Sequence, residues 1–174
     1  MHRTTTELEG FLDHIIAAPS DDGPIEMIVR RPVEDERETV ESGQLDHELG
    51  LVGDDWSRRG EPDPGTQLTL ISSRVLEAVA GDRDRWPLAG DQIVADLDLS
   101  EDNLPAGTRL KIGDAELEIS SIPHTGCAKF AGRYGREGLR FVNVGEGRKR
   151  RFRGVYATVI DGGSFSVGDK ITKA

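Results

Sequence analysis

The chain has a single cysteine, Cys127, in 174 residues. No internal disulfide can staple it, so the fold must rest on packing. Aromatic residues make up only 5% of the chain, and Val, Ile and Leu carry much of the apolar content. No apolar run approaches the roughly 18 residues of a membrane-spanning helix. The opening Met1-His2-Arg3-Thr4 leads into acidic and polar residues, where a signal peptide would place an apolar core. One thiol and no export pattern predict a reducing, cytoplasmic setting without a membrane partner. The motifs G-x-x-x-x-G-K-[ST], H-E-x-x-H, C-x-x-C and G-x-S-x-G are also missing. Their absence removes the common nucleotide-loop, zinc-protease and α/β-hydrolase readings.

Positive charge is scarce overall, and the net charge is −10. That balance argues against nucleic acid as a partner. The exception is Lys129 to Arg153, which holds nine basic and two acidic residues. The stretch begins just after Cys127. It reads either as a solvated basic face or as a surface for a small anionic ligand beside the thiol.

Glycine is plentiful, with 21 residues, and the pattern is one of short strands and tight turns. Leu8, Phe11, Leu12, Ile15 and Ile16 predict an amphipathic helix over 5–17, ended by Pro19. Strands are expected at 25–32 and 68–71, with mixed strand and loop at 33–50 and a surface loop at 57–67. Ser72 or Ser73 can cap a short helix that Gly81 stops. Gly113-Asp114 suits a two-residue type II′ turn. That turn pairs Arg109 with Glu118, Leu110 with Leu117, Lys111 with Glu116 and Ile112 with Ala115. A second hairpin is predicted from Val155 to Val167, turning at Asp161-Gly162-Gly163. The Gly-Asp pairs at 81, 90, 113 and 168 read as turn chemistry. The expectation is a mainly β, antiparallel barrel with a few short helices, in one domain spanning 1–174. Its N-terminal helix lies within 1–20 and its barrel within 25–172.

The candidate site centres on Ile122-Pro123-His124-Thr125-Gly126-Cys127-Ala128-Lys129-Phe130. A thiolate anchors a thiophilic metal or carries a sulfane sulfur, whereas a lone cysteine can also be an inert small hydrophobe. His124 and Lys129 are placed to lower the thiol pKa, although a loop histidine can equally pack on the barrel. Lys129, Arg133 and Arg136 fall on one face of a helix starting near Cys127, and its N-terminus would favour a thiolate or phosphate. Arg148-Lys149-Arg150-Arg151 reads as an exposed loop and strand edge. Arg151 and Arg153 alternate as on one strand face, and Asn143 lies on a predicted strand between Val142 and Val144. The H-x-x-C spacing of His124 and Cys127 is too sparse for zinc, because the other histidines lie in distant N-terminal segments.

Four segments together resemble one family. These are Arg30-Arg31-Pro32 with Gly50-Leu51-Val52-Gly53-Asp54; Leu104-Pro105-Ala106-Gly107-Thr108-Arg109-Leu110-Lys111-Ile112-Gly113; the region of Cys127; and Arg153-Gly154-Val155-Tyr156-Ala157 through Val167-Gly168-Asp169. In this order they resemble the MOSC domain, the C-terminal domain of molybdenum-cofactor sulfurase. The resemblance implies a β-barrel-rich fold and molybdenum cofactor (molybdopterin) as ligand. It gives Cys127 the role of metal thiolate or persulfide carrier. It also raises Asp54 as a pocket residue, with Lys129, Arg133, Asn143, Arg151 and Thr125 as candidates to hold the cofactor and His124 as a companion of the thiol. The implied chemistry is reduction of a small N-hydroxylated molecule, with a separate electron-donor protein, or sulfur transfer with a cysteine desulfurase; a non-catalytic binding module with a structural Cys127 is the remaining alternative.

Overall fold

The computed structural model describes residues 1–174. Seven strands close a barrel: β1 (Gly23–Arg30), β11 (Lys170–Lys173), β7 (Arg109–Ile112), β8 (Ala115–Ile119), β9 (Val155–Asp161), β5 (Leu68–Ser72) and β6 (Ile93–Ala95), which returns to β1. Every neighbouring pair is antiparallel except β5–β6. The barrel is therefore mixed, because the chain between Ser72 and Ile93 crosses over through a helix, as parallel pairing requires. β2 (Glu38–Val40) extends β1, and β3 (Ser42–Asp46), β4 (Gly50–Leu51) and β10 (Gly163–Ser166) form a small second sheet.

The β7–β8 hairpin has the predicted register at all four positions. Gly113 has φ +56° while Asp114 stays on the negative side, as a type II′ turn requires. The second predicted hairpin does not form. β10 leaves β9 at Gly162 and pairs with β3, Phe165 opposite Gly43. A turn signal between two strands fixes their order in sequence but not their partner, and here the buried Phe165 belongs to the barrel core.

Two apolar clusters follow from strand alternation. Inside the barrel lie Leu68, Leu70, Ile93, Ala95, Leu110, Ile112, Leu117 and Val159 among others. The outward Ile71 and Val94 instead meet Val75, Leu76 and Val79 of α3 (Ser73–Val79), together with Leu8, Phe130, Tyr134 and Val142. β5 is buried along its whole length because both its faces are covered.

The N-terminal amphipathic stretch is two helices, α1 (Thr5–Glu9) and α2 (Leu12–Ile16), broken at Gly10-Phe11. Thr4 and Glu7 cap α1 reciprocally. Ser72 takes the cap position of α3, but its hydroxyl makes no capping bond. The region after Cys127 is more helical than expected. α4 (Ala128–Asn143) starts at Cys127, as predicted, and runs 16 residues with a kink at Gly135, φ +88°. Asn143 is thus the last residue of a helix, not part of a strand. Arg148 and Lys149 lie in α5 (Glu146–Lys149), and residues 151–153 form a turn. Arg151, at φ +56°, and Arg153 therefore do not share a strand face.

Candidate functional site

The segment 120–127 links β8 to α4, and α4 holds it in place. The Asn143 carboxamide accepts from the Gly126 amide at 2.8 Å and donates to the Gly126 carbonyl at 3.0 Å. Gly126 allows that approach, since a Cβ there would lie 2.7 Å from Leu139 Cδ1. Asn143 was expected to face the ligand. Its amide is instead engaged with the loop, so it positions Thr125 and Cys127.

Cys127 is exposed and occupies the N-cap position of α4. The backbone N–H of Phe130 lowers its pKa most. That of Lys129 and the Arg153 and Arg133 charges add to the effect, against a smaller opposing push from burial. A helix N-terminus favours the thiolate in this way.

Beside the thiol opens a cavity of about 330 Å3, lined by Cys127, Lys129, Arg133, Arg31, Arg59 and Tyr156 among others. Most of its cations have carboxylate partners. Arg31 binds Asp54 through two bonds of 2.9 and 2.7 Å, and Arg153 binds Asp91 at 2.7 Å. Arg59 reaches Asp55 at 2.7 Å. Lys129 lies 3.5 Å from Glu34, and Arg133 lies 3.9 Å from Asp35. These last two carboxylates are largely exposed, so their hold on the cations is weak. Arg37 has no carboxylate partner, and burial followed by repulsion from Arg133 lowers its pKa.

Asp54 stands behind this wall. It accepts from Arg31, from the Trp56 amide and from Gln92. Burial raises its pKa, but the Arg31 bonds and charge outweigh burial, and the carboxyl titrates below the usual range. Its part is to fix Arg31, which does line the cavity.

A second cavity of about 240 Å3 lies beyond His124 and Arg153, which line both. Thr125, Asn143, Arg151, Arg148, Ser120 and Ser121 line the second cavity and not the first. The residues grouped around one thiol in the sequence are therefore split: Cys127, Lys129 and Arg133 on one side, Thr125, Asn143 and Arg151 on the other. Arg151 is tied to carbonyls, at 2.6 Å from Leu104 and 3.4 Å from Leu99.

Three buried polar atoms in and beside this wall lack hydrogen-bond partners: His124 Nδ1, Arg153 Nε and Asp91 Oδ1, the last from a residue that lines the first cavity only. His124 stacks on Tyr156 with ring centroids 4.4 Å apart, and its Nδ1 is 3.9 Å from Asp91 Oδ1. Burial, then the Arg153 charge, push its pKa down to about 4 against the pull of Asp91. The imidazole is therefore neutral at pH 7 and makes no hydrogen bond to the thiol. No three His, Cys, Asp or Glu side chains converge to form a metal site. In the sequence Asp91 carries only the turn signal of Gly90-Asp91. It is buried, 62 positions from Arg153, and nothing local in the sequence marks that pairing.

The architecture is a closed, mixed barrel with a thiol at a helix N-cap beside a cation-lined cavity. The chain belongs to the MOSC domain family, which matches residues 53–172 and is associated with molybdenum-cofactor binding. Similar solved structures include YuaD of Bacillus subtilis, at 15% identity and TM-score 0.59, covering 86% of this chain and 93% of that one. YiiM of Escherichia coli aligns at 20% identity and TM-score 0.58, covering 87% and 69%. YiiM of Geobacillus stearothermophilus aligns at 16% and 0.52, covering 87% and 73%. At these identities the likeness concerns the fold. A search among curated proteins gives no match. No helix is long and apolar enough to cross a membrane.

Proposed function

We propose that this MOSC domain binds molybdenum cofactor with Cys127 as the thiolate ligand of the metal and reduces small N-hydroxylated compounds. One observation carries the reading: an exposed thiol of lowered pKa sits on the rim of a cation-lined cavity. The cavity fits such a group. Its volume of about 330 Å3 lies within the roughly 300–1,000 Å3 of small-molecule sites. Its lining places Lys129, Arg133 and Arg37 where an anionic group of such a ligand would sit.

The bound cofactor would supply a metal centre that exchanges an oxygen atom in two-electron steps. The chain's own residues do the rest. The Phe130 and Lys129 amides lower the Cys127 pKa below the ordinary thiol value and so favour the thiolate. Lys129, Arg133 and Arg37 offer charge to an anionic group, while the pairs Arg31–Asp54 and Arg153–Asp91 keep the wall rigid. His124, neutral and stacked on Tyr156, can orient a ligand by hydrogen bonding without adding a second positive charge. In the net reaction the substrate N–O bond breaks, the nitrogen gains hydrogen and the oxygen leaves as water. The two protons come from solvent, and the two electrons come from a separate donor protein.

The test is elemental analysis of protein purified from a cofactor-competent host, wild type against Cys127→Ser. Near-stoichiometric molybdenum in the wild type, lost in a folded variant, is expected. Equal molybdenum in both would remove Cys127 from the metal. A second reading, persulfide transfer, is favoured by the exposure of the same thiol. It predicts a one-sulfur mass increase on Cys127 after incubation with a cysteine desulfurase, and an unchanged mass sinks it.

A further inference from the structure

The cavity beyond His124 is not lined by the thiol, and its electrostatics differ from those of its neighbour. Glu101 is the only carboxylate among its lining residues, against Arg148, Arg151 and Arg153. Arg153 is matched by Asp91, but neither Arg148 nor Arg151 has a carboxylate within 4.0 Å. Arg151 is half-buried, and its Nη1 is spent on two carbonyl oxygens. Burial lowers its pKa, with Glu101 alone opposing. An unmatched, partly desolvated guanidinium is costly, and an anion relieves that cost. Hydroxyls of Ser120, Ser121 and Thr125 complete a polar wall. His124 and Arg153 close the cavity on the side of Asp91, with His124 Nδ1 3.9 Å from Asp91 Oδ1 and Arg153 paired to Asp91 at 2.7 Å. Both side chains line this cavity as well as the first.

We infer that this second cavity is a binding site for small molecules carrying a carboxylate or phosphate, with Arg148 and Arg151 receiving the anion. The inference goes beyond the reading of the Cys127 cavity as the cofactor's and stands apart from it, since Cys127 lines only that other cavity.

Binding of adenosine 5′-monophosphate and of adenosine, by calorimetry on protein from the cofactor-competent host, tests the chamber. The monophosphate should bind about tenfold tighter or more, the size of a charge-assisted hydrogen-bond pair. Arg148→Ala should erase that preference. Arg136→Ala, which removes an exposed α4 charge that lines neither cavity, should keep it. Equal binding of the two probes by the wild type overturns the proposal, as does a preference that survives Arg148→Ala. Molybdenum content separates the two sources of the anion. It should be unchanged in Arg148→Ala, and a fall there would mean that the guanidinium holds the cofactor's own phosphate. Molybdenum absent from the wild type would overturn the cofactor reading, while the monophosphate preference would still decide the chamber's anion selectivity.

Discussion

The two cavities share His124 and Arg153 but treat charge in opposite ways. On the Cys127 side, Arg31, Arg59 and Arg153 are each held by a carboxylate at 2.7 Å. On the far side, Arg148 and Arg151 have no such partner. A matched guanidinium is oriented before any ligand arrives, which suits a cofactor held through many turnovers. An unmatched one leaves its charge available to a ligand that comes and goes, and Arg148 is exposed enough to wait in water at little cost. Arginine thus builds the rigid wall through its matched members, while the unmatched Arg148 and Arg151 of the second cavity, like Arg37 in the first, leave their charge to a ligand. The number of facing carboxylates makes the difference.

The largest effect that would break this comparison concerns the wall. Asp91 is 2% exposed and Arg153 9%. Arg153→Leu leaves a buried carboxylate without its cation and should cost about 3–5 kcal/mol, measured by urea unfolding. Replacing both, as Arg153→Leu with Asp91→Leu, should recover much of that loss, since the pair itself pays desolvation on both sides. Arg148→Ala, by contrast, should stay within about 0.5 kcal/mol. If Arg153→Leu costs no more than Arg148→Ala, the distinction between matched wall and unmatched receptor fails.

His124 gives the next effect, through pH. Its folded pKa is depressed to about 4, below the roughly 6.5 of the unfolded chain. Between these values the unfolded state binds more protons, so stability falls as pH drops from about 6.5 toward 4. The His124 contribution should be about 2 kcal/mol smaller at pH 5 than at pH 7. Comparing wild type with His124→Gln across that range cancels the other carboxylates to first order. A parallel pH dependence in both proteins would mean that the imidazole is neither buried nor neutral as described.

Local signals in the sequence led to correct elements, and distant pairings stayed hidden. The β7–β8 hairpin was legible because its turn, its apolar pairs and its opposite charges lie within ten residues. The start of α4 at Cys127 was legible from the spacing of its cations. Its far end was not, since Phe141, Val142 and Val144 favour strand. The spacing of four among Phe130, Tyr134, Gly138 and Val142, the buried face of α4, held the contrary signal. The destination of β10 and the partnership of Asp91 with Arg153 depend on residues far apart in the chain. Only the closed barrel brings them together. The candidate residues were found in the right neighbourhood, but their division into two cavities was not readable, because a wall is a property of packing and not of order.

The smallest effect tests how that wall is kept in register. Asn143 grips Gly126, the residue between Thr125 of one cavity and Cys127 of the other. Asn143→Ala removes two hydrogen bonds at a half-buried position and should cost about 1–2 kcal/mol. Its stronger signature should be local. The Gly126 amide loses its only acceptor among side chains and should exchange with solvent faster, while amides of the β7–β8 hairpin keep their rates. Alkylation of Cys127 should report the same loosening, because its thiolate is stabilised by α4 amides that the loop must present in register. A looser loop visits that geometry less often, so the apparent thiol pKa should rise toward the ordinary value. If Gly126 exchange and Cys127 alkylation both remain as in the wild type, the carboxamide is not what holds the two cavities apart. The Leu139–Gly126 contact would then be sufficient on its own.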